Sequence, residues 1–391
     1  MSTSADCKVE VSAPGKIIFH GEHAVVYGKP AVAASLSLRT HLTLKATADS
    51  MVSLQFPDIG VDKKYSTKLL QDALQDLPTA GTTSEPVPAS DEVIAALKTF
   101  AAGDSLGAES KEALGVVAFL YLYYSITKTK SGLPSLSVQV VSELPVGAGL
   151  GSSGAFSASL AAAFLQFSGA INAEKVDQSF AEWSASQKEL INKWAFVGDK
   201  VIHGQPSGVD NTISTFGGAI KFMKNEKNPI TPINKMPTLP IMLVNTTVPR
   251  STKALVAKFR QKYDTYRDVC DPILQAMESI ANRSLDVFTE LCDKPSEGCY
   301  TSLADLVDMN QQLLDLMGMG HPALDQIVSV AAKNGLHAKL TGAGGGGCAF
   351  VLIPPSTEAS CLEKLRSELE SLGQQVWMNA TVGGHGVRRH L

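Results

Sequence analysis

The stretch PVGAGLGSSG, residues 145–154, decides how this chain is interpreted. It follows Ser135–Val141, whose alternating side chains predict a strand, and it precedes Ala155–Phe167, whose alanine-rich apolar composition predicts a helix. Glycine allows positive φ and lets a phosphate approach the backbone closely, and the first N–H groups of a helix are free to bind an anion. The stretch therefore predicts an anion-binding loop between a strand and a helix. A serine-capped turn without a ligand is the alternative.

Residues 149–154 also match the GxGxxG pattern of dinucleotide-binding folds. That pattern needs an acidic residue at the end of a second strand about 20 residues later. Residues 171–203 are instead predicted to be helical, which places Glu174 and Asp177 in helical or capping positions. The P-loop pattern and the protein-kinase signatures are missing from the sequence as well. A dinucleotide oxidoreductase is therefore not favoured, and any phosphate loop belongs to another class.

A second glycine cluster, KLTGAGGGGC at residues 339–348, lies in the C-terminal half between two apolar segments that predict strands. Its five glycines in six residues exceed what a hairpin turn needs. Flanking apolar strands argue against a flexible linker. The cluster predicts close approach of the backbone to a ligand or to another part of the molecule.

Near the N-terminus, APGKIIFHGEH at residues 13–23 places Lys16 directly after a Pro-Gly turn at the edge of a strand, where a cation is well placed to meet an anion. His20, Glu22 and His23 cluster around a glycine, but their spacing matches no standard zinc site. Taken singly, each of these side chains also fits an ordinary surface or core position.

Two acids stand in GDKVIHGQPSGVDN, residues 198–211. Asp199 falls in the last turns of a predicted helix, Gln187–His203, where the helix dipole disfavours a carboxylate, so a metal ligand is one interpretation and a paired surface charge the other. Asp210 is predicted in an irregular loop before a hairpin or bent strand pair over Thr212–Met223. In such a loop it either caps a turn or acts as a catalytic base.

The composition of the chain limits the classes of protein and partner that need to be considered. Of 391 residues, 44% are hydrophobic and 18% charged, which suits a packed globular protein. A net charge of −4 argues against nucleic acid as a partner. The longest apolar run, Ala113–Ile126, is shorter than the roughly 20 residues that span a bilayer, so no membrane partner is expected.

Cysteine usage and the termini bear on the compartment. Six scattered cysteines fit reduced thiols rather than disulfides or a zinc site. The N-terminal MSTSADCKVEVSAPGK has no apolar core of a signal peptide, which favours a cytoplasmic location. The final Arg-His-Leu resembles a peroxisomal targeting signal only weakly, so a peroxisomal location is a weak alternative.

Strands and helices run in blocks along the chain, which predicts an α+β fold rather than a regular βαβ array. A polar, proline-containing stretch at 224–238 predicts a domain boundary, giving domains 1–228 and 229–391. Residues 76–110 are predicted to form a surface insertion with one helix in its middle. The other predicted elements are strands at Lys8–Val11, Ile17–Phe19, Leu38–Ala46, Leu239–Asn245, Ala338–Leu340 and Ala349–Ile353, and helices at Ala113–Thr127, Thr252–Leu291, Thr301–Leu316 and Ala323–Asn334.

These motifs resemble those of the GHMP small-molecule kinases. PVGAGLGSS resembles the family's phosphate-binding motif, and APGK and KLTGAGGGGC resemble its first and third motifs, in matching order across nearly the whole chain. HGEHAVVYGKPA, ELINKWAF and IHGQPSGVDN resemble the animal branch of the family that acts on mevalonate. The resemblance implies a two-domain GHMP kinase fold, with an N-terminal domain like ribosomal protein S5 domain 2 and a ferredoxin-like C-terminal domain.

The resemblance also implies a reaction: transfer of the γ-phosphoryl group of ATP, with Mg²⁺, to the primary hydroxyl of mevalonate, giving 5-phosphomevalonate and ADP at the entry to isoprenoid and sterol precursors. It further implies a homodimer and feedback inhibition by prenyl diphosphates at the nucleotide site. Alternatives within the family are branches acting on phosphomevalonate or galactose. A member that binds ligand without turnover and acts as a regulator is an alternative from another class.

Residue by residue, the resemblance makes Asp210 the base and Lys16 its partner, which also contacts the nucleotide. Ser153 and Asp199 would bind Mg²⁺. The residues implied in nucleotide binding are Asp58, Ser142, Gly147, Ala148, Gly149, Leu150, Gly151, Ser152 and Ser153. Those implied in substrate binding are Glu22, His23, Asp210, Thr341 and Gly342.

Three positions depart from the family pattern. Asp199 stands in place of Glu and is one methylene shorter, so contact with Mg²⁺ is either direct or through water. Gly154 stands in place of Ala, which predicts a looser first helical turn. Asp58 stands where the animal pattern has Asn, and the sequence offers no reason for its charge.

Overall fold

A computed structural model describes residues 7–75, 83–103, 107, 109–224 and 226–391. The described residues form fourteen strands and eleven α-helices. The strands are β1 (Lys8–His20), β2 (Ala31–Ala46), β3 (Met51–Phe56), β4 (Val61–Ser66), β5 (Leu136–Ser142), β6 (Glu174–Lys175), β7 (Phe180–Glu182), β8 (Ala219–Phe222), β9 (Ile230–Pro232), β10 (Leu239–Asn245), β11 (His337–Leu340), β12 (Cys348–Leu352), β13 (Gln375–Val382) and β14 (Arg388–His390). The helices are α1 (Thr67–Leu74), α2 (Asp91–Ala102), α3 (Lys111–Thr127), α4 (Ser152–Phe167), α5 (Ala185–His203), α6 (Val209–Phe216), α7 (Thr252–Thr265), α8 (Arg267–Asp293), α9 (Glu297–Met317), α10 (Pro322–Lys333) and α11 (Ala359–Ser371).

Two long strands form the spine of the molecule. β1 and β2 pair antiparallel from Lys8↔Lys45 to His20↔Val32, with irregular register after Pro14 and after Ile18. The main strand order is β11-β12-β10-β13-β2-β1-β14-β7-β6, so β2 belongs to both halves of the sheet. The cleft described below opens along the C-terminal part of β1, where the two halves meet.

The N-terminal half buries its helices on the sheet. α3 and α4 are apolar on almost all sides, as expected of helices enclosed by other elements. Two of the buried polar groups in this half are hydrogen-bonded: the Tyr123 hydroxyl of α3 donates to the Pro134 carbonyl over 2.6 Å, and the Trp194 indole N–H of α5 donates to the Thr83 carbonyl over 2.8 Å. The predicted helices at Ala113–Thr127, Ala155–Phe167 and Gln187–His203 are confirmed.

In the C-terminal half, β10 and β12 form a buried centre covered by α8 to α11, and β10 has the bounds that the sequence predicts. The strands on either side of the second glycine cluster pair antiparallel, from His337↔Leu352 to Leu340↔Ala349. Strand pairing crosses the predicted division at 228/229, since β9 pairs with β8 and β14 returns to β1. The division of the chain at that point stays a prediction.

One predicted element is wrong at the site itself. The hairpin expected over Thr212–Met223 is the helix α6 followed by the strand β8, and Asp210 lies in the first turn of α6 instead of in an irregular loop. β-branched residues in α6 suggested a strand. Packing decides otherwise, because Ile213 is fully buried and the Ser214 hydroxyl donates to the Pro14 carbonyl over 2.8 Å.

Two other boundaries differ from the predictions. Residues 171–184 are not helical: they hold β6 and β7, and α5 begins only after Ser184, whose side chain caps it in a reciprocal pair with Gln187. The helix predicted over Thr252–Leu291 is interrupted at Tyr266, whose backbone dihedrals are not helical. Within the predicted insertion 76–110, α2 confirms the helix, while residues 76–82, 104–106 and 108 lie outside the described residues.

No helix in the described part of the chain is long and apolar enough to cross a membrane.

The contact between α6 and the C-terminal segment gives a test of the fold. Gly217 and Gly218 both have positive φ, 74° and 62°. A Cβ on Gly217 would lie 2.2 Å from the Gly386 nitrogen, whereas a Cβ on Gly218 meets nothing within 4 Å. We expect Gly218→Ala to lower the free energy of unfolding by about 1–2 kcal/mol and Gly217→Ala by about 1–3 kcal/mol more, measured by urea denaturation. Equal losses in the two variants would contradict the close contact.

Candidate active site

A cleft of about 970 Å³ lies where the two halves meet. The end of β1 and the turn after it, the loop 145–151, the start of α4, and residues 203–210 form its N-terminal wall. Arg250 and the start of the second glycine cluster face them from the C-terminal half. The three motifs that the sequence singled out therefore share one cavity.

The first glycine cluster forms the floor of the cleft. Gly147, Gly149 and Gly151 all have positive φ, between 74° and 81°, a conformation that side chains with a Cβ rarely adopt. Gly151 is the N-cap of α4 and offers no side-chain cap, so the first N–H groups of the helix are left for a ligand. The Lys16 N–H donates to the Leu150 carbonyl over 2.7 Å, which ties the loop to β1. The geometry is that of an anion site.

Lys16 and Asp210 meet at the edge of this loop. Lys16 lies on β1 just after its irregular register, and its Nζ is 3.3 Å from Asp210 Oδ1. The side chains are 12% and 29% exposed, so both reach the cleft while remaining partly desolvated. At the N-terminus of α6 the dipole stabilises the Asp210 carboxylate. The pair can hold a hydroxyl between a base and a cation.

Gly154 explains how Asp210 comes so close to the loop. A Cβ on Gly154 would lie 2.8 Å from both the backbone carbon and the Cβ of Asp210. The missing side chain therefore lets the first turns of α4 and α6 touch. Gly154 in place of alanine was expected to loosen the first turn of α4. In the structure it instead allows α4 and α6 to make a close contact.

Asp199 lies on α5 directly behind this contact. It is 2% exposed, its Oδ1 is a buried atom with no hydrogen-bond partner, and the His203 Nε2 is 3.7 Å away. Burial, and next the charge of Asp210, raise the pKa of the Asp199 carboxyl to about 6. His203 Nε2 is also 2.9 Å from the Ser153 hydroxyl, in the first turn of α4.

This arrangement fits a magnesium ion that arrives with a nucleotide. Mg²⁺ in kinase sites is held by one or two carboxylates together with substrate phosphates. Asp199 supplies an unpaired carboxylate oxygen and Ser153 a hydroxyl next to the phosphate loop. The described residues contain no cluster of three or more His, Cys, Asp or Glu side chains suited to a metal, so the remaining ligands would come from the nucleotide and water.

An apolar pocket continues from the loop. Ile59, Leu114 and Phe156 line it, and at its polar edge Asp58 Oδ2 accepts a hydrogen bond from the Ser142 N–H over 2.7 Å. Apolar walls with one polar edge suit a nucleotide base. The Asp58 charge, unexplained by the sequence, is engaged by a backbone donor.

At the other end of the cleft, His23 has a positive φ of 59°. Its Nε2 lies 2.7 Å from the Ala343 carbonyl oxygen, and since a carbonyl only accepts, Nε2 carries the hydrogen. Burial lowers the pKa of His23, so the ring is neutral and its Nδ1 is a hydrogen-bond acceptor. Glu22 precedes it, but the Glu22 carboxylate is 1% exposed and is paired with Lys339.

The start of the second glycine cluster faces this end of the cleft. The Thr341 hydroxyl accepts from the Ile18 N–H and donates to the Ile18 carbonyl, both over 2.9 Å, so it fastens β1 to the C-terminal half. Gly342 lines the cleft beside Arg250.

Arg250 lines the cleft and was not predicted from the sequence. It follows β10, and its Nη2 donates to the Ala148 carbonyl over 2.6 Å, across to the phosphate loop. A Cβ on Gly149 would lie 1.7 Å from this Nη2, and a Cβ on Gly347 would lie 2.7 Å from the guanidinium carbon. Glycines of both clusters thus leave room for this arginine, whose Nη1 is buried without a partner. The only signal in the sequence was the pair of glycine clusters, whose missing side chains leave the space that Arg250 occupies.

Two family models match the chain: GHMP kinases N terminal domain over residues 116–218 and GHMP kinases C terminal over residues 288–371. Mevalonate kinase of Bos taurus is 43% identical over 385 residues, which cover 97% of this chain and 94% of the bovine protein. The chain belongs to the mevalonate kinase family. Mevalonate kinase of Arabidopsis thaliana is 35% identical and covers 97% of this chain and 99% of its own length.

Solved structures agree on the mevalonate kinase family fold. The crystal structure of L. major mevalonate kinase in complex with R-mevalonate has a TM-score of 0.69 at 21% identity, covering 99% of this chain and 100% of that one. Lactococcus lactis galactokinase complexed with galactose has a TM-score of 0.62 at 17% identity, covering 98% and 95%. The predicted α+β GHMP kinase fold and the membership of this ATP-using kinase family are confirmed.

The buried Asp199 predicts an unusual pH dependence of stability in this member of the mevalonate kinase family. Its folded pKa, about 6, lies above the ordinary 3.8, so the folded state holds the proton more tightly than the unfolded chain. The free energy of unfolding therefore falls as the pH rises through this window. We expect Asp199→Asn, without Mg²⁺, to be more stable than the wild type at pH 7.5 by up to about 3 kcal/mol, converging near pH 4.

Urea denaturation at several pH values checks this expectation. Asp62→Asn, which removes an exposed carboxylate on β4, is the matched control and should follow the wild type at every pH. An Asp199→Asn variant that is less stable than the wild type at pH 7.5 would contradict the assignment.

Proposed function

We propose that this chain transfers the γ-phosphoryl group of ATP, with Mg²⁺, to the primary hydroxyl of mevalonate, giving 5-phosphomevalonate and ADP. The observation that carries the proposal is the 3.3 Å pair of Lys16 and Asp210 beside the glycine loop, in the cleft between the two halves. Family relatives named mevalonate kinase, and the L. major relative solved with R-mevalonate, support the choice of acceptor.

In this proposal Asp210 is the base. It accepts the proton of the substrate hydroxyl, while Lys16 stabilises the developing negative charge on that oxygen. Phosphoryl transfer requires mainly positioning and charge neutralisation, and a positioned base contributes roughly 10²–10⁴ in rate. Asp210 lies in the first turn of α6, where the helix dipole favours a negative charge.

The nucleotide would lie along the loop and the apolar pocket. Backbone N–H groups from Gly147 to Ser153 bind the phosphates, Asp58 and Ser142 form the polar edge of the base pocket, and Ser153 and Asp199 hold the Mg²⁺. Mg²⁺ held by these two residues would supply charge neutralisation at the phosphates. Oδ1 of Asp199, buried without a hydrogen-bond partner, is the oxygen that would be available to the ion.

Arg250 would supply the charge from the C-terminal half. Its guanidinium already reaches the phosphate loop, and its unpartnered Nη1 is available to an anionic oxygen. Arginine suits phosphate because its planar donors bind two oxygens at once.

On the acceptor side, His23 would accept a hydrogen bond from a substrate hydroxyl through Nδ1, and Gly342 would close the site from the opposite wall. Direct contacts of Glu22 and Thr341 with substrate stay predictions from the sequence. A homodimer, inhibition by prenyl diphosphates, and a cytoplasmic rather than peroxisomal location likewise stay predictions from the family resemblance.

The decisive assay measures ADP release with MgATP and, in parallel, mevalonate, phosphomevalonate, galactose and homoserine. Of the four alcohols, we expect only mevalonate to give turnover with MgATP. In Asp210→Asn we expect kcat to fall by about 10²–10⁴, because the base is lost, while the affinity for MgATP stays near that of the wild type.

Turnover with another alcohol would reject mevalonate as the acceptor and retain the base. If MgATP bound while none of the four alcohols turned over, the non-catalytic regulator would be the better interpretation. Full activity in Asp210→Asn would reject Asp210 as the base.

Arg250 gives an independent prediction. We expect Arg250→Gln to lower kcat/KM for ATP by about 10- to 100-fold, since hydrogen bonds to a charged group contribute roughly 1.5–3 kcal/mol. Steady-state kinetics with varied MgATP measures this. Lys253→Gln, which removes an exposed cation at the start of α7, is the matched control and should change it less than twofold. Equal effects in the two variants would show that only long-range charge matters.

A further inference from the structure

A buried polar network outside the phosphoryl-transfer centre joins the two halves. Lys339, on β11, and Glu22, in the turn after β1, form an ion pair through Nζ and Oε1, with side chains 0% and 1% exposed. Lys339 Nζ also donates to the Leu340 carbonyl over 2.7 Å and lies 5.4 Å from the centre of the Phe350 ring. The pair is therefore enclosed by protein rather than by solvent.

The second oxygen of Glu22 is engaged too. Asn310 Nδ2, on α9, donates to Glu22 Oε2 over 3.5 Å, and Asn310 Oδ1 lies 3.1 Å from His20 Nδ1. Burial, reinforced by the nearby Lys339 charge, lowers the pKa of His20 to about 3, so the neutral ring donates from Nδ1 to the amide oxygen. Both Glu22 oxygens thus have protein partners in the interior.

What this network fixes is the turn that carries His23. Gly21, with φ of 89°, has no room for a side chain, because a Cβ would lie 2.2 Å from the Pro30 carbonyl oxygen. His23 has a left-handed φ as well, which is unfavourable for a residue with a Cβ. Such a backbone persists only where its surroundings over-determine it. The Glu22 side chain, between these two residues, is held by the C-terminal half.

We propose that Lys339 is a positioning residue for the acceptor substrate: through its ion pair with Glu22 it holds His23 in the orientation that binds that substrate. The proposal rests on the proposed function of the same cleft. Glu22 then acts through the turn and does not touch the substrate. A buried ion pair adds little net stability, because desolvation offsets the attraction, so orienting the turn is the role that the geometry favours.

Kinetics of Lys339→Met, Glu22→Gln and the double variant test the proposal. We expect each to raise KM for mevalonate by about tenfold or more, the effect of one misplaced hydrogen bond, and to leave KM for ATP within about twofold. The double variant should regain much of the thermal stability lost in Lys339→Met, because no buried charge is left unpaired, yet keep the raised KM.

Lys29→Met is the matched control. It removes another lysine–glutamate pair between the same halves, Lys29 Nζ to Glu278 Oε2 at 2.7 Å, without touching the network. Both KM values should stay near those of the wild type. An equal rise of KM for mevalonate in this control would mean that any loosening of the interface suffices, which overturns the specific role of Lys339.

A spectroscopic readout separates this proposal from the proposed function. In ¹⁵N-histidine NMR spectra without substrate, with His23 assigned from a His23→Gln variant, we expect the neutral Nε2–H tautomer in the wild type and a changed tautomer population in Lys339→Met and in the double variant. If the wild type failed to phosphorylate mevalonate, the proposed function would be rejected. The His23 tautomer signal would still test whether Lys339 positions His23, because it is measured without substrate.

Two results would overturn the positioning role. The first is a folded double variant with the wild-type KM for mevalonate and unchanged His23 signals, which would make the pair merely structural. The second is a raised KM in Glu22→Gln together with a wild-type KM in Lys339→Met, which would make Glu22 a direct substrate contact.

Discussion

The contact between the N-termini of α4 and α6 is the constraint on which the site depends. Both helices direct their positive dipole ends into one cleft, and Gly154 permits the contact because any side chain there would meet the backbone of Asp210. An anionic ligand at the start of α4 and the Asp210 carboxylate at the start of α6 can therefore lie side by side. Lys16 lies between them, tied by its own N–H to the loop. The like charges gathered here are tolerable because two helix ends and a lysine oppose them.

The C-terminal half completes this arrangement from across the cleft. Arg250 occupies the space that glycines of both clusters leave empty, so the two motifs are complementary to one side chain. Thr341 fastens β1 to the opposite wall with two hydrogen bonds. The glycines of both clusters therefore reflect close packing around an arginine, which Gly149 and Gly342 approach from opposite walls of the cleft.

Sequence reasoning reached the parts of the site that are encoded locally. Positive φ and helix entry are properties of the glycine loop itself, so a loop that leads from a strand into a helix could be predicted from residues 145–154. The helix under Asp210 was not, because its β-branched residues favour a strand and only packing against α4 and β1 makes it helical. Arg250 and Lys339 were missed because their partners are 102 and 317 residues away in the chain. No local pattern marks such pairs.

Asp199 connects the chemistry of the site to its stability. A carboxylate buried beside Asp210 is unfavourable on its own, and the raised pKa of Asp199 expresses that cost. A divalent cation held by Asp199 would offset this cost, because the burial that disfavours a lone carboxylate strengthens its attraction to a cation. The resting protein therefore holds a destabilised carboxylate where the proposed reaction needs a metal ligand.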